Sequence, residues 1–311
     1  MPLGKTVLHI CLLAGAVWLL QSAVACCPSA DEYVVDPETG ERREIIKMGL
    51  VPSEDAEIVI NEGEKMAALL SEKTGYPFRA YVTPNYNTLV AAMRAGDVDF
   101  AWLPPLAYVL SKLDGTGTVL LKAVRGENPF YYGAIIVRAD SGIDSVDDLR
   151  GKVMGWGDLL SFSGHIFPKY DLIRKENYTN EFFSREANLS SHPAVVVAVL
   201  NGHIDAGAVW ANDTEGNSGA WLIGDHADRS NEIKPIFYTD PIPGDTFTVR
   251  TGFMEEFPDK TERIRRAVVA LADDPEGARI LMTVYRITRM APATDEDYRV
   301  VYDAFETVIR K

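Results

Sequence analysis

Cysteine is nearly missing from this chain: its 311 residues include three, Cys11, Cys26 and Cys27, all before position 28. A disulfide framework and a cysteine-rich metal site are therefore excluded from the folded body. Basic residues are also in deficit. Lysine and arginine total 31 against 45 acidic residues, a formal net charge of −14, which repels phosphate backbones and argues against a general nucleic-acid binder. No apolar run reaches the roughly 18 residues that indicate a membrane span. His165, His192, His203 and His226 lack the i, i+4 spacing of a helical zinc pair, and neither a metal nor any other cofactor is expected. Tandem repeats and low-complexity tracts are absent. What remains is 47% apolar and 10% aromatic residues, enough for proper cores, at a length better suited to two lobes than one.

The N-terminus reads as an address. Lys5 precedes a 14-residue apolar stretch, Val7 to Leu20, broken only by His9, and small residues follow: a secretory signal over 1–25, too short for a spanning helix. Ala23-x-Ala25 suits ordinary signal peptidase, while small residues directly before Cys26 resemble a bacterial lipobox, with Ala23 where leucine is usual. Lipidation of Cys26 is the expectation, and soluble release is its alternative. Residues 26–44 lack periodicity and read as a tether.

From Ile45 onward, short apolar runs alternate with amphipathic stretches, the mark of an α/β fold with largely parallel sheets. Strands are expected at 45–51, 78–82, 98–103, 131–137, near Val153 and at 203–210, and helices at 57–73, 86–95, after Pro104, after Ser163, from Pro193, at 259–271, 275–285 and 295–309. Asn85 is a plausible N-cap, Gly75 and Gly96 are stops, and Thr294 with Asp297 approaches a capping box. Extended connections near 131–137 and 236–247 are candidate hinges. They divide the body into a discontinuous lobe, 45–137 with 243–311, and a continuous one, 138–242.

Open α/β sheets bind ligands beyond the C-terminal ends of their strands, where helix N-termini converge. Three such junctions carry hydroxyls or imidazole: Pro84-Asn85-Tyr86, Gly157 to Gly164 with Ser161 and Ser163, and Ser190-Ser191-His192-Pro193. A fourth, Leu103-Pro104-Pro105, offers no donor. Unpaired amides and the positive end of a helix dipole make an anion site, and neutral donors let an acidic protein hold an anion without a basic patch. Each feature alone is also what ordinary capping requires. Trp102 and Trp210 lie in buried-strand patterns and read as core.

The combination has a familiar order. On TPNYNTLVAAMRAGDVDFAWLPPLAYV (83–109), YYGAIIVRADSGIDSVDDLRGK (131–152), GDLLSFSGHIFP (157–168), SHPAVVVAVLNGHIDAGAV (191–209) and PIPGDTFTVR (241–250), this chain resembles the phosphonate/phosphite/phosphate-binding proteins of ABC importers, the PhnD-like family of periplasmic binding proteins. The resemblance implies a two-lobed periplasmic-binding-protein fold with two crossover strands. It implies capture of a small phosphorus oxyanion in the cleft, delivery to an ABC permease, and no enzymatic step; the alternatives are a binder of another small solute, such as a sulfonate, or a sensor domain. Tyr86 matches the first-lobe tyrosine donor. Tyr131 matches the tyrosine on the first crossover strand, with Tyr132 as its weaker neighbour. Ser161 and Ser163 match hydroxyls of the family's Ser-Thr-Ser-Gly loop, and Phe162 stands where threonine is usual, removing a hydroxyl and adding a ring to the pocket wall. His192 matches the histidine facing the same group. Asp245 matches the carboxylate on the return crossover, placed to accept from a protonated P–OH, or else it caps a turn after Gly244. Asp213 lies near the acid that meets an ammonium tail.

Other partial motifs carry nothing. Gly4-Lys5-Thr6 lies in the signal, Lys73-Thr74-Gly75 is a helix end, and no nucleophile–base spacing marks a hydrolase.

Overall fold

A computed structural model of the chain describes residues 33–35, 38–51, 55–176, 179 and 181–309. The expected signal at 1–25 and Cys26 lie outside the described residues. Within the segment read as a tether, β1 (Tyr33–Val35) and β2 (Arg42–Glu44) form an antiparallel ribbon too short and too polar to show a pattern in sequence.

The first unit begins with β3 (Ile46–Leu50) and α1 (Ala56–Thr74). Asp55 caps α1 by accepting from the Glu57 and Ile58 amides, and Gly75, at φ 74°, stops it. β4 (Phe78–Val82), α2 (Tyr86–Ala95), β5 (Phe100–Leu103), α3 (Pro105–Leu113) and β6 (Gly117–Val124) follow. The chain then crosses to β7 (Phe130–Arg138) and β8 (Val153–Trp156), and a wide turn at Phe162–Ile166 runs into α4 (Phe167–Lys175). β9 (Arg185–Asn188), α5 (His192–Leu200), β10 (Ala206–Ala211), β11 (Ile233–Tyr238) and β12 (Ile242–Pro243) complete the second unit. The return brings β13 (Thr246–Arg250), α6 (Thr251–Glu256), α7 (Pro258–Val269), α8 (Pro275–Tyr285), β14 (Arg289–Pro292) and α9 (Arg299–Ile309). The capping box of Thr294 and Asp297 forms as expected.

One sheet has the order β14-β6-β13-β5-β3-β4. The other runs β11-β7-β10-β8-β9, with β12 also paired to β7. Both are mixed, which corrects the expectation of largely parallel sheets. β3–β4, β3–β5, β8–β9 and β10–β8 are parallel, but β7 and β13, the strands that carry the chain across and back, pair antiparallel with every neighbour. β7 was expected within the first lobe, which was drawn to residue 137. Its ladders with β10, β11 and β12 put it at the heart of the second sheet, so the connections between sheets are the short stretches 125–129 and 244–245.

Under the first sheet, Met48, Leu50, Trp102 and Phe247 pack against Met66 and Leu70 of α1 and Ile280 and Leu281 of α8. Burial of each such side chain contributes about 1.5–3 kcal/mol. A second cluster runs through both units: Leu89 and Val109 share it with Phe162, Phe167 and Val195. α9 belongs to that cluster through Val301 and Ala304, packing on α3 of the first unit and α4 of the second. No helix among the described residues is long and apolar enough to cross a membrane.

Candidate functional site

The loop after β8 closes on itself. Gly157 N–H donates to Gly164 O (2.8 Å), and Ile166 N–H reaches back five residues to Ser161 O (3.2 Å). The Ser161 Oγ accepts from Gly164 N (3.1 Å), which leaves the amides of Phe162 and Ser163 in a first turn where helix geometry supplies no intrahelical acceptor. Gly164 is needed by space: a Cβ there would lie 2.8 Å from Ser161 Oγ and 3.0 Å from His192 Cε1. Phe162 is fully buried and stacks on Phe167 (centroids 4.8 Å), which stacks in turn on Tyr170 (5.5 Å). Its ring is thus a fixed wall.

His192 opens α5, capped by Ser191, whose Oγ accepts from Ala194 N (3.4 Å). Burial pushes the imidazole down to about 4, so it is neutral at neutral pH, and its Nδ1 is buried with no hydrogen-bond partner. Tyr131, on β7, is hydrogen bonded to Ser163, and burial, then the Asp245 charge, hold its phenol protonated. Tyr86, at the start of α2, is likewise raised by burial first and then by Asp158 and Asp245. The Tyr86 amide donates across the units to Asp158, whose carboxyl is raised by burial against hydrogen bonds from the Leu160 and Tyr86 amides.

The two crossings between the units contribute an ion pair. Arg125 Nη2 donates to Asp245 Oδ2 at 2.5 Å, and its Nε donates to Tyr285 O at 3.2 Å. Its guanidinium lies 5.1 Å from the Tyr131 ring centre. Gly244 allows this corner, since a Cβ would sit 2.0 Å from the Ala123 carbonyl oxygen.

These groups meet. Tyr86, Tyr131, Ser161, Phe162, Ser163, His192 and Asp245 all line one cavity of about 50 Å³ between the units, with Trp102 and Trp210 beside them. A single water needs roughly 10–15 Å³ by this measure, so the space suits one compact tetrahedral ion. Asp213 is not part of the lining. Its Oδ1 accepts from the amides of Glu215, Gly216 and Asn217 and ties its own turn, a local bond that a short polar side chain favours over reaching out. Sequence reasoning missed Arg125, Tyr285 and Arg286, which also line the cavity and come from segments outside the strand-to-helix junctions. It also read Trp102 and Trp210 as core. Both are buried, and both face the guest space.

Two mixed α/β units joined by paired crossings, with a small cavity of aromatic walls and a few polar groups between them, have the architecture of a two-lobed solute-binding protein. The profile of the family described as "ABC transporter, phosphonate, periplasmic substrate-binding protein" matches residues 48–298, and the chain belongs to that family. It is 28% identical over 225 residues to the phosphonates-binding periplasmic protein of Escherichia coli, covering 71% of this chain and 65% of that one. It is 27% identical over 307 residues to the phosphate-import protein PhnD of Mycolicibacterium smegmatis, covering 93% and 92%. Among solved structures, PhnD1 of Prochlorococcus marinus in complex with methylphosphonate superposes with a TM-score of 0.74 at 18% identity, over 86% of this chain and 99% of that one, a likeness of fold.

Proposed function

We propose that this chain captures a small phosphorus oxyanion, a phosphonate, phosphite or phosphate, between its two units and delivers it to an ABC permease. The observation that carries this reading is the convergence of proton donors from both sheets on one ion-sized cavity. The phenols of Tyr86 and Tyr131 stay protonated, the turn amides of Phe162 and Ser163 are unclaimed within their helix, and the neutral His192 offers a buried ring nitrogen. Such donors stabilise an anion through hydrogen bonds rather than a basic patch. Contacts from both units coexist only when the units face one another, so binding favours that arrangement, with 125–129 and 244–245 as the hinges. An affinity between micromolar and nanomolar, about −8 to −12 kcal/mol, is in keeping with such a site. No covalent step is involved. The protein acts on the outer face of the cytoplasmic membrane, held by lipid on Cys26, and mass spectrometry of the mature N-terminus tests the anchor.

The site is tested by replacing Ser161 and Ser163 with alanine and titrating methylphosphonate, phosphite and phosphate by calorimetry. Weaker binding of whichever guest the parent takes is the expected result. Unchanged affinity rejects the loop as the site.

A further inference from the structure

One charge at the cavity has no counterpart. Arg125 and Asp245 neutralise each other in direct contact, and Tyr86, Tyr131 and His192 are uncharged at neutral pH. Asp158 does not line the cavity, and its carboxylate is engaged by the Tyr86 and Leu160 amides at the positive end of α2. Arg286 does line the cavity, and its Nε is buried with no hydrogen-bond partner. No acidic side chain among the described residues forms a salt bridge with it. Its backbone is pinned as the C-cap of α8, the Arg286 amide donating to Met282 O at 3.1 Å. It is also the one described non-glycine residue with positive φ, at 57°, a conformation in which any side chain is disfavoured and glycine is the default. A left-handed backbone carrying a half-buried arginine, its Nε enclosed and unpartnered beside a binding cavity, points to a role at the cavity, because stability alone favours glycine there.

We propose that Arg286 is the charge-selecting residue of the site, favouring a tetrahedral head that carries two negative charges over one of the same shape that carries one. This rests on the phosphorus-oxyanion reading above and replaces the expected role of Asp245 as acceptor from a P–OH: with Arg125 on Asp245, the carboxylate does not require a protonated guest. The class of guest follows: a fully ionised phosphonate or phosphate.

Methylphosphonate above its second ionisation and methanesulfonate at the same pH have nearly the same shape, accept hydrogen bonds only, and differ by one unit of charge. Calorimetric titration of the full chain is expected to favour methylphosphonate. Arg286→Gln and Arg286→Gly are each expected to cut that preference about tenfold or more, as loss of a charge-assisted hydrogen bond implies, while Arg286→Lys retains most of it. Arg286→Gly should also melt no lower than the parent, since glycine suits this backbone, which separates lost binding from lost folding. Variants that keep the parental preference overturn the role of Arg286 and leave the phosphorus reading standing, whereas a parent that favours methanesulfonate overturns both. A parent that binds neither methylphosphonate, phosphite nor phosphate overturns that reading itself.

Discussion

Arg125 and Asp245 stand on opposite sides of the two crossings between the units, and the 2.5 Å contact between them joins the outgoing connection to the returning one. The pair is mostly shielded, with side-chain exposures of 11% and 22%, and the arginine also holds the Tyr285 carbonyl and lies over Tyr131. A carboxylate that looks misplaced beside an anion is thus the partner of a cation, and it fixes the corner where both hinge segments meet.

Asp245→Asn should therefore cost stability without costing affinity. Leaving Arg125 short of its charged partner is expected to destabilise the fold by about 2–3 kcal/mol, read from urea unfolding. Methylphosphonate binding should hold or tighten, because the freed guanidinium faces the same cavity. A tenfold loss of affinity with unchanged stability returns Asp245 to the guest.

Phe162→Thr installs the hydroxyl usual in the family and removes the first ring of the Phe162–Phe167–Tyr170 stack. Deleting so large a fully buried side chain should cost about 3 kcal/mol. Phosphate, which has an oxygen where methylphosphonate has a methyl group, should gain relative to methylphosphonate. Relative affinities that do not move would show that the ring is core alone.

His192 and His165 are both held by burial near about 4. The unfolded chain takes up these protons near 6.5, so the stability they protect is complete above that pH and is lost as the pH falls from 6.5 towards 4. Each histidine accounts for about 2–3 kcal/mol between pH 7.5 and 4.5. Urea midpoints of His165→Gln should fall less steeply across that interval than those of the parent, and parallel curves would refute the assignment.

Most helices and several strands could be read from the residues alone, because their signals are local. Asp55 and Gly75 bracket α1, and Asn85 and Gly96 bracket α2, each by hydrogen bonds or backbone geometry that the residue type itself supplies. β6, β9 and β14 were missed. β9 is four mostly exposed residues and β14 ends in proline, and both are strands only because β8 and β6 offer edges to pair with. The junction residues of the cavity were legible for the same reason as the helices: Ser161, Ser163, His192 and Tyr86 sit at or near helix starts, where amides and hydroxyls are predictable.

By itself, the order of residues determined the alternation of strands and helices, the caps that begin and end them, and the hydroxyl and imidazole donors set at their starts, all consequences of contacts within a few positions along the chain. Only the tertiary structure decided that β7 belongs to the second sheet and that Arg125, Asp245 and Arg286 share a cavity with those donors. These pairings join residues as far as 120 positions apart, and electrostatics between such partners depends on distance and burial that no local pattern encodes.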